Sequence, residues 1–153
     1  MKPLVLALLL AGLALPAGDP TGFYLWKSAE LKSFSKSLVP KMTEKKLATQ
    51  SLASHGNYTF NIAHREATGE AEYHATQADV FIVQSGEATL VVGGELIDGK
   101  TSAPNEMRAA SIKGGTEKKL AAGDVATIPT KTAHQLKLEP GKEFTYFYVK
   151  VTQ

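Results

Sequence analysis

From Leu47 onward the chain alternates short apolar stretches with turn residues at Gly56-Asn57, Gly69, Gly86, Gly93-Gly94, Asp98-Gly99, Gly114-Gly115, Gly123-Asp124 and Pro140-Gly141. Apolar runs of strand length between such signals predict an antiparallel sandwich or barrel. Val80 to Val83 and Phe144 to Val149 are apolar or aromatic on both alternating faces, so these strands need cover twice, from the barrel interior and from another layer. Upstream the period changes. Leu31, Phe34 and Leu38 recur at helical spacing, with Ser28 as N-cap, Glu30 in the first turn and Pro40 as the stop. This helix and a partner subunit are the two candidate covers. The expectation is therefore an all-β domain over residues 47–153, preceded by a connector and short helix over 18–46. The strand after Asp79 is expected to stop at Gly86. Residues 100–115 exceed a simple hairpin, with one strand near Arg108 to Ile112, and could border a pocket mouth.

The first residues, MKPLVLALLLAGLALPAGDP, change the picture of where the domain works. One early Lys, an uncharged apolar run and small residues around Ala17 read as a cleavable secretory signal over residues 1–17. The run is shorter than the roughly 20 residues of a spanning helix, and no basic stop-transfer cluster follows. The expected product is exported, periplasmic or secreted, without a membrane anchor after cleavage. With no Cys it is neither disulfide-stapled nor Cys-acylated. The full-chain net charge of +2 gives no case for nucleic acid or an anionic membrane.

The candidate chemistry lies in "EYHATQADVFIVQSG", residues 72 to 86. Glu72 and His74 are two apart on an extended segment, so their side chains leave one face and Tyr73 the other. Asp79 begins the next strand after a short turn, and His134 begins another beyond Pro129. If these strand starts meet, two imidazoles and two carboxylates converge at one end of the barrel, a donor set suited to a divalent first-row ion. Each residue also has a plainer role available: Asp79 as a turn cap, Glu72 as an exposed edge residue, His134 as a satisfied histidine at a strand start.

Two segments resemble the cupins, small double-stranded β-helix barrels of the jelly-roll kind. Laid on the first cupin motif, Gly86 takes the glycine, Asp79 the glutamate, His74 the second histidine and Glu72 the first. In "GDVATIPTKTAHQLKL", Gly123, Pro129 and His134 match the second motif, whereas Lys131 replaces its glycine and Leu138 its asparagine. The resemblance runs from about Thr59 to Val151. It implies a metal site of Glu72, His74, Asp79 and His134. Glu72 in place of a histidine makes a divalent site neutral, which favours manganese or ferrous iron over zinc or copper and weakens the ion as a Lewis acid. Secondary pocket candidates are His64, on one strand face with Ile62; Lys131, where either the turn differs or an ammonium attracts an anionic ligand; and Tyr146, with Phe144 and Tyr148, as a wall or dimer contact. Two functions stay open: an exported small-molecule-binding cupin holding a divalent ion, and a metal-free ligand-binding or interaction module on the same barrel. A homodimer is expected, and no residue identifies a reaction.

Overall fold

The computed structural model describes residues 18–153, so the leader expected over residues 1–17 lies outside the described residues. The helix α1, Ser28–Leu38, starts one residue earlier than a Ser28 cap implies. Lys27 occupies the cap position because its carbonyl already accepts the first helical bond, from Leu31 N–H at 3.0 Å. A 3-10 turn over Val39–Lys41, with Pro40 inside it, closes the segment.

Among the described residues, twelve strands follow: β1 Leu47–His55, β2 Tyr58–Arg65, β3 Ala71–His74, β4 Gln77–Val92, β5 Glu95–Ile97, β6 Lys100–Ala103, β7 Glu106–Ala109, β8 Ser111–Lys113, β9 Thr116–Ala121, β10 Val125–Ile128, β11 His134–Lys137 and β12 Phe144–Thr152. Ten of them form one curled antiparallel sheet in the order β1-β2-β12-β4-β11-β3-β7-β6, with β9 and β10 also pairing β4. The remaining ribbon is β5 with β8. The expected strand near Arg108 to Ile112 is two short strands, β7 and β8, each paired elsewhere.

The expected strand end at Gly86 is a bend. β4 continues through it, pairing β12 and β10 before the glycine and β9 and β11 after it, so one strand serves both halves of the curl. Gly86 has φ +80°, and a Cβ there would lie 2.0 Å from the Glu143 carbonyl oxygen. Only glycine allows that conformation and that approach without strain.

Between the two halves lies the main core, built from Ala63, Phe81, Val83, Leu90, Leu136 and Phe144 among others. On the outer face of β1, β2 and β12, Leu38, Ala48, Ile62 and Phe147 form a second cluster, with Leu31, Phe34 and Ile82 packed against it. This is the outer cover that the two-faced strands require, and α1 supplies it. Among the described residues no helix is long and apolar enough to cross a membrane.

Because Leu38 is fully buried at the helix–sheet contact, Leu38→Ala should cost about 2–5 kcal/mol in urea unfolding. A loss below about 1 kcal/mol would mean that α1 is not docked in solution.

Candidate metal centre

Three strands bring the four expected donors together. Glu72 and His74 come from β3, Asp79 from the start of β4 and His134 from the first position of β11, which pairs directly with Glu72. One ligand atom from each of the four lies within 4.8 Å of the others. His74, Asp79 and His134 are buried, and Glu72 is half-buried. Asp79, which as a turn cap would face solvent, is only 2 % exposed and points inward.

The backbone fixes this convergence at an unexpected place. Lys131 adopts φ 61°, so the left-handed turn of the second motif is kept without its glycine. Its N–H donates to the His74 carbonyl at 2.7 Å, tying the turn before His134 to the strand that carries Glu72 and His74. The Lys131 side chain is exposed and takes no part in the cavity wall. His64 is elsewhere too: it faces away from the cavity and its Nδ1 hydrogen-bonds the Thr145 hydroxyl at 2.8 Å. Tyr146 does line the cavity, as does Tyr148, while Phe144 belongs to the core.

Both imidazoles are oriented through their Nδ1 atoms. His74 Nδ1–H donates to Glu106 Oε2 at 2.5 Å, and His134 Nδ1–H donates to the Thr132 carbonyl at 3.1 Å. Each ring therefore turns Nε2 toward the acids. His74 Nε2 lies 3.3 Å from Asp79 and 3.4 Å from Glu72, and His134 Nε2 lies 3.4 Å from Asp79. His134 Nε2 is buried and makes no hydrogen bond. A carboxylate or carbonyl behind a histidine is the usual arrangement for fixing the tautomer of a ligating ring.

Three residues in this arrangement escaped sequence reasoning. Glu106 and Arg108 come from β7, whose pairing places Glu106 beside His74 and Arg108 beside Glu72. Arg108 Nη1 donates to Glu106 at 3.2 Å, and its Nη2 lies 3.8 Å from Glu72. Lys150 reaches in from β12, with Nζ 2.9 Å from His74 Nε2 and 3.0 Å from Asp79 Oδ1. Its strand neighbour in register is Asp79. The strand expected near Arg108 to Ile112 left Glu106 out, and the partner that β7 pairs with lies far away in the sequence.

Burial raises the Glu72 pKa, but the hydrogen bond from His74 and the positive charge of Arg108 more than offset this and hold it at about 2. Burial opposes the His74 imidazolium, yet hydrogen bonds to Asp79 and Glu72 push its pKa up to about 9. Asp79 is held far below the carboxylate range, because the two histidines and Lys150 outweigh its burial. Lys150 can donate to the His74 ring only while Nε2 is unprotonated, so protonating His74 leaves the ammonium to Asp79 alone.

No protein-family model matches the chain. No curated protein matches it either. Solved structures do. The cupin domain of Schizosaccharomyces pombe Cnp3 superposes with a TM-score of 0.53 at 13 % identity, covering 75 % of this chain and 67 % of that one. A cupin 2 conserved barrel domain protein from Rhodopseudomonas palustris gives 0.51 at 18 %, covering 70 % and 61 %. A predicted oxalate decarboxylase from Thermotoga maritima gives 0.52 at 12 %, covering 70 % and 81 %. The chain thus has the cupin fold, as the two motifs imply, and identity this low carries the fold alone.

The charge arrangement has a pH signature in metal-free protein. His74, raised from 6.5 to about 9, contributes stability that is complete below pH 6.5 and lost as pH rises through about 9. Glu72, lowered from 4.5 to about 2, contributes stability that is present above pH 4.5 and lost as pH falls through about 2. Tm measured in EDTA should therefore peak between pH 4.5 and 6.5. His74→Gln should flatten the alkaline limb, and an unchanged limb in that variant would remove His74 as its cause.

Proposed function

We propose that the protein is an exported, small-molecule-binding cupin whose Glu72, His74, Asp79 and His134 hold a divalent ion beside the ligand cavity. The observation that carries this reading is His134 Nε2, a buried nitrogen without a hydrogen-bond partner, which the bond from Nδ1–H to the Thr132 carbonyl leaves turned toward the acids. His74 is braced in the same sense by Glu106. The donor set fits a hard or borderline ion: two carboxylate oxygens and two imidazoles neutralise a double positive charge, which supports manganese or ferrous iron over copper or zinc.

The residues divide the work among themselves. His74 and His134 present nitrogen lone pairs, and Glu106 keeps the His74 ring from turning. Arg108 holds Glu106 and Glu72 in place. Glu72, ionised down to about pH 2, is a carboxylate at neutral pH, the form that would ligate an ion. Tyr146, Tyr148 and Phe81 form an aromatic side of the cavity. When bound, the ion would supply polarisation of a carboxylate or enediol oxygen of that ligand. A leader over residues 1–17 supports export to a periplasmic or secreted location, and a homodimer is part of the same reading. Nucleic acid and membrane have no counterpart in the charge pattern.

Lys150 supports a second reading. Its ammonium already stands between His74 and Asp79, so the site carries a cation of its own and can work as a metal-free binding module. Ion uptake in the first reading requires Lys150 to swing out and the His74 proton to leave.

Added Mn(II) or Fe(II) should raise the Tm of EDTA-treated protein, since a ligand bound only by the native state stabilises it by mass action. His134→Ala should abolish the rise, and Glu106→Gln should weaken ion binding by about 10–100-fold. Lys150→Met should tighten it by about tenfold, corresponding to ~1.4 kcal/mol of competition removed. If no ion stabilises either wild type or Lys150→Met, the metal-free module is the correct reading.

A further inference from the structure

The cavity beside the four-donor centre has a volume of about 200 Å³. That is below the ~300–1,000 Å³ of sites for drug-sized ligands, so its occupant is small. Its wall includes a group whose presence the metal centre does not explain. Arg65, the last residue of β2, is 6 % exposed, and its Nε is buried with no hydrogen-bond partner. Among the described residues its guanidinium forms no ion pair with any carboxylate, and its one side-chain hydrogen bond is from Nη2 to the Tyr146 hydroxyl at 3.3 Å. Glu70, on the same wall, is paired instead with Lys45 at 3.0 Å.

A guanidinium keeps its charge at any ordinary pH and carries five donors. Burying that charge with one neutral acceptor is costly unless an anion completes the site. Neighbouring groups are set for such an anion. Tyr146 accepts from Arg65, so its own proton is free to donate into the cavity, and burial pushes its pKa up, which keeps the proton in place. Gln135 uses both amide hydrogens on the carbonyls of Gly69 at 2.8 Å and Ala110 at 3.0 Å. These bonds hold Gln135 on the outer face of β11, opposite the inward-pointing His134 and Leu136, so it takes no part in holding the anion. Glu72 and Asp79 on the wall disfavour a multiply charged anion.

We propose that this cavity binds a small organic monoacid, its carboxylate held by Arg65 and Tyr146. This names the ligand class for the site proposed above and rests on that cavity being the ligand site. It does not require the ion. Gly69 makes the arginine's position possible: a Cβ there would meet Arg65 Nη1 at 2.2 Å, the far end of a flexible side chain. Gly69→Ala is therefore a way to displace the guanidinium without removing it.

The test uses the mature chain in EDTA, titrated calorimetrically with glycolate, acetate, salicylate, benzoate and inorganic phosphate. The expected result is binding of carboxylates from this set, with phosphate weaker than any carboxylate that binds. Arg65→Met should weaken acid binding by about tenfold or more, the usual worth of hydrogen bonds to a charged group, while leaving the ligand-free Tm equal or higher. Gly69→Ala should give a similar weakening, and it decides the matter if Arg65→Met does not fold. Binding that survives Gly69→Ala, a preference for phosphate, or no binding by any acid overturns the proposal. Because the titration is metal-free, acid binding without ion uptake removes only the ion, and ion uptake without acid binding removes only this inference.

Discussion

The structure depends on one strand that belongs to both halves of the barrel. β4 can hydrogen-bond β12 and β10 on one side of Gly86 and β9 and β11 on the other only because the chain bends there into a left-handed conformation against the Glu143 carbonyl. The bend curls a ten-stranded sheet onto itself, so Phe81 and Val83 before it and Leu90 after it share one core. The same curl brings the start of β4, with Asp79, across from β3 and β11. The site is thus a consequence of how the sheet closes.

Closure leaves charge in a protected place. Asp79 is buried, and its ionised form is tolerated because Lys150, His74 and His134 surround it. The arrangement is a balance and not a set of separate pairs. Glu106 holds His74 from behind, Arg108 holds Glu106 and Glu72, and Lys150 spans His74 and Asp79. Exchanging Lys150 for a divalent ion keeps two carboxylates opposite a cation. Arg65 stands apart from this balance, on the same cavity but without a carboxylate. That separation gives the cavity two chemically different ends.

Much of the barrel was legible because β-patterning is local. Turn signals at Gly56-Asn57, Gly93-Gly94 and Gly123-Asp124 separate real strands, and the two-faced strands are those covered by core on one side and by α1 on the other. The four donors were legible as well, since Glu72 and His74 share a face by alternation and the spacing to Gly86 places Asp79. Where local reading failed, a distant contact decided. Gly86 has the sequence signature of a strand end, and it is a bend because Glu143 occupies the space a side chain would need. Lys131 keeps a glycine-like turn because its N–H has the His74 carbonyl to bond. His64 sits one residue from Arg65 on the same strand, and the pleat sends His64 to the outer layer and Arg65 into the cavity.

The sequence by itself determined the periodicities, and through them the barrel, the helix that covers it and the identity of four converging donors. Tertiary structure alone decided what surrounds those donors. Glu106, Arg108, Lys150 and Arg65 lie on strands whose partners are far away in the chain, and strand pairing depends on closure of the whole sheet. A charged residue on a strand reads the same whether it meets solvent, a histidine or an empty cavity. Only the fold distinguishes these, because the energetics of a charge depend on what else is buried with it.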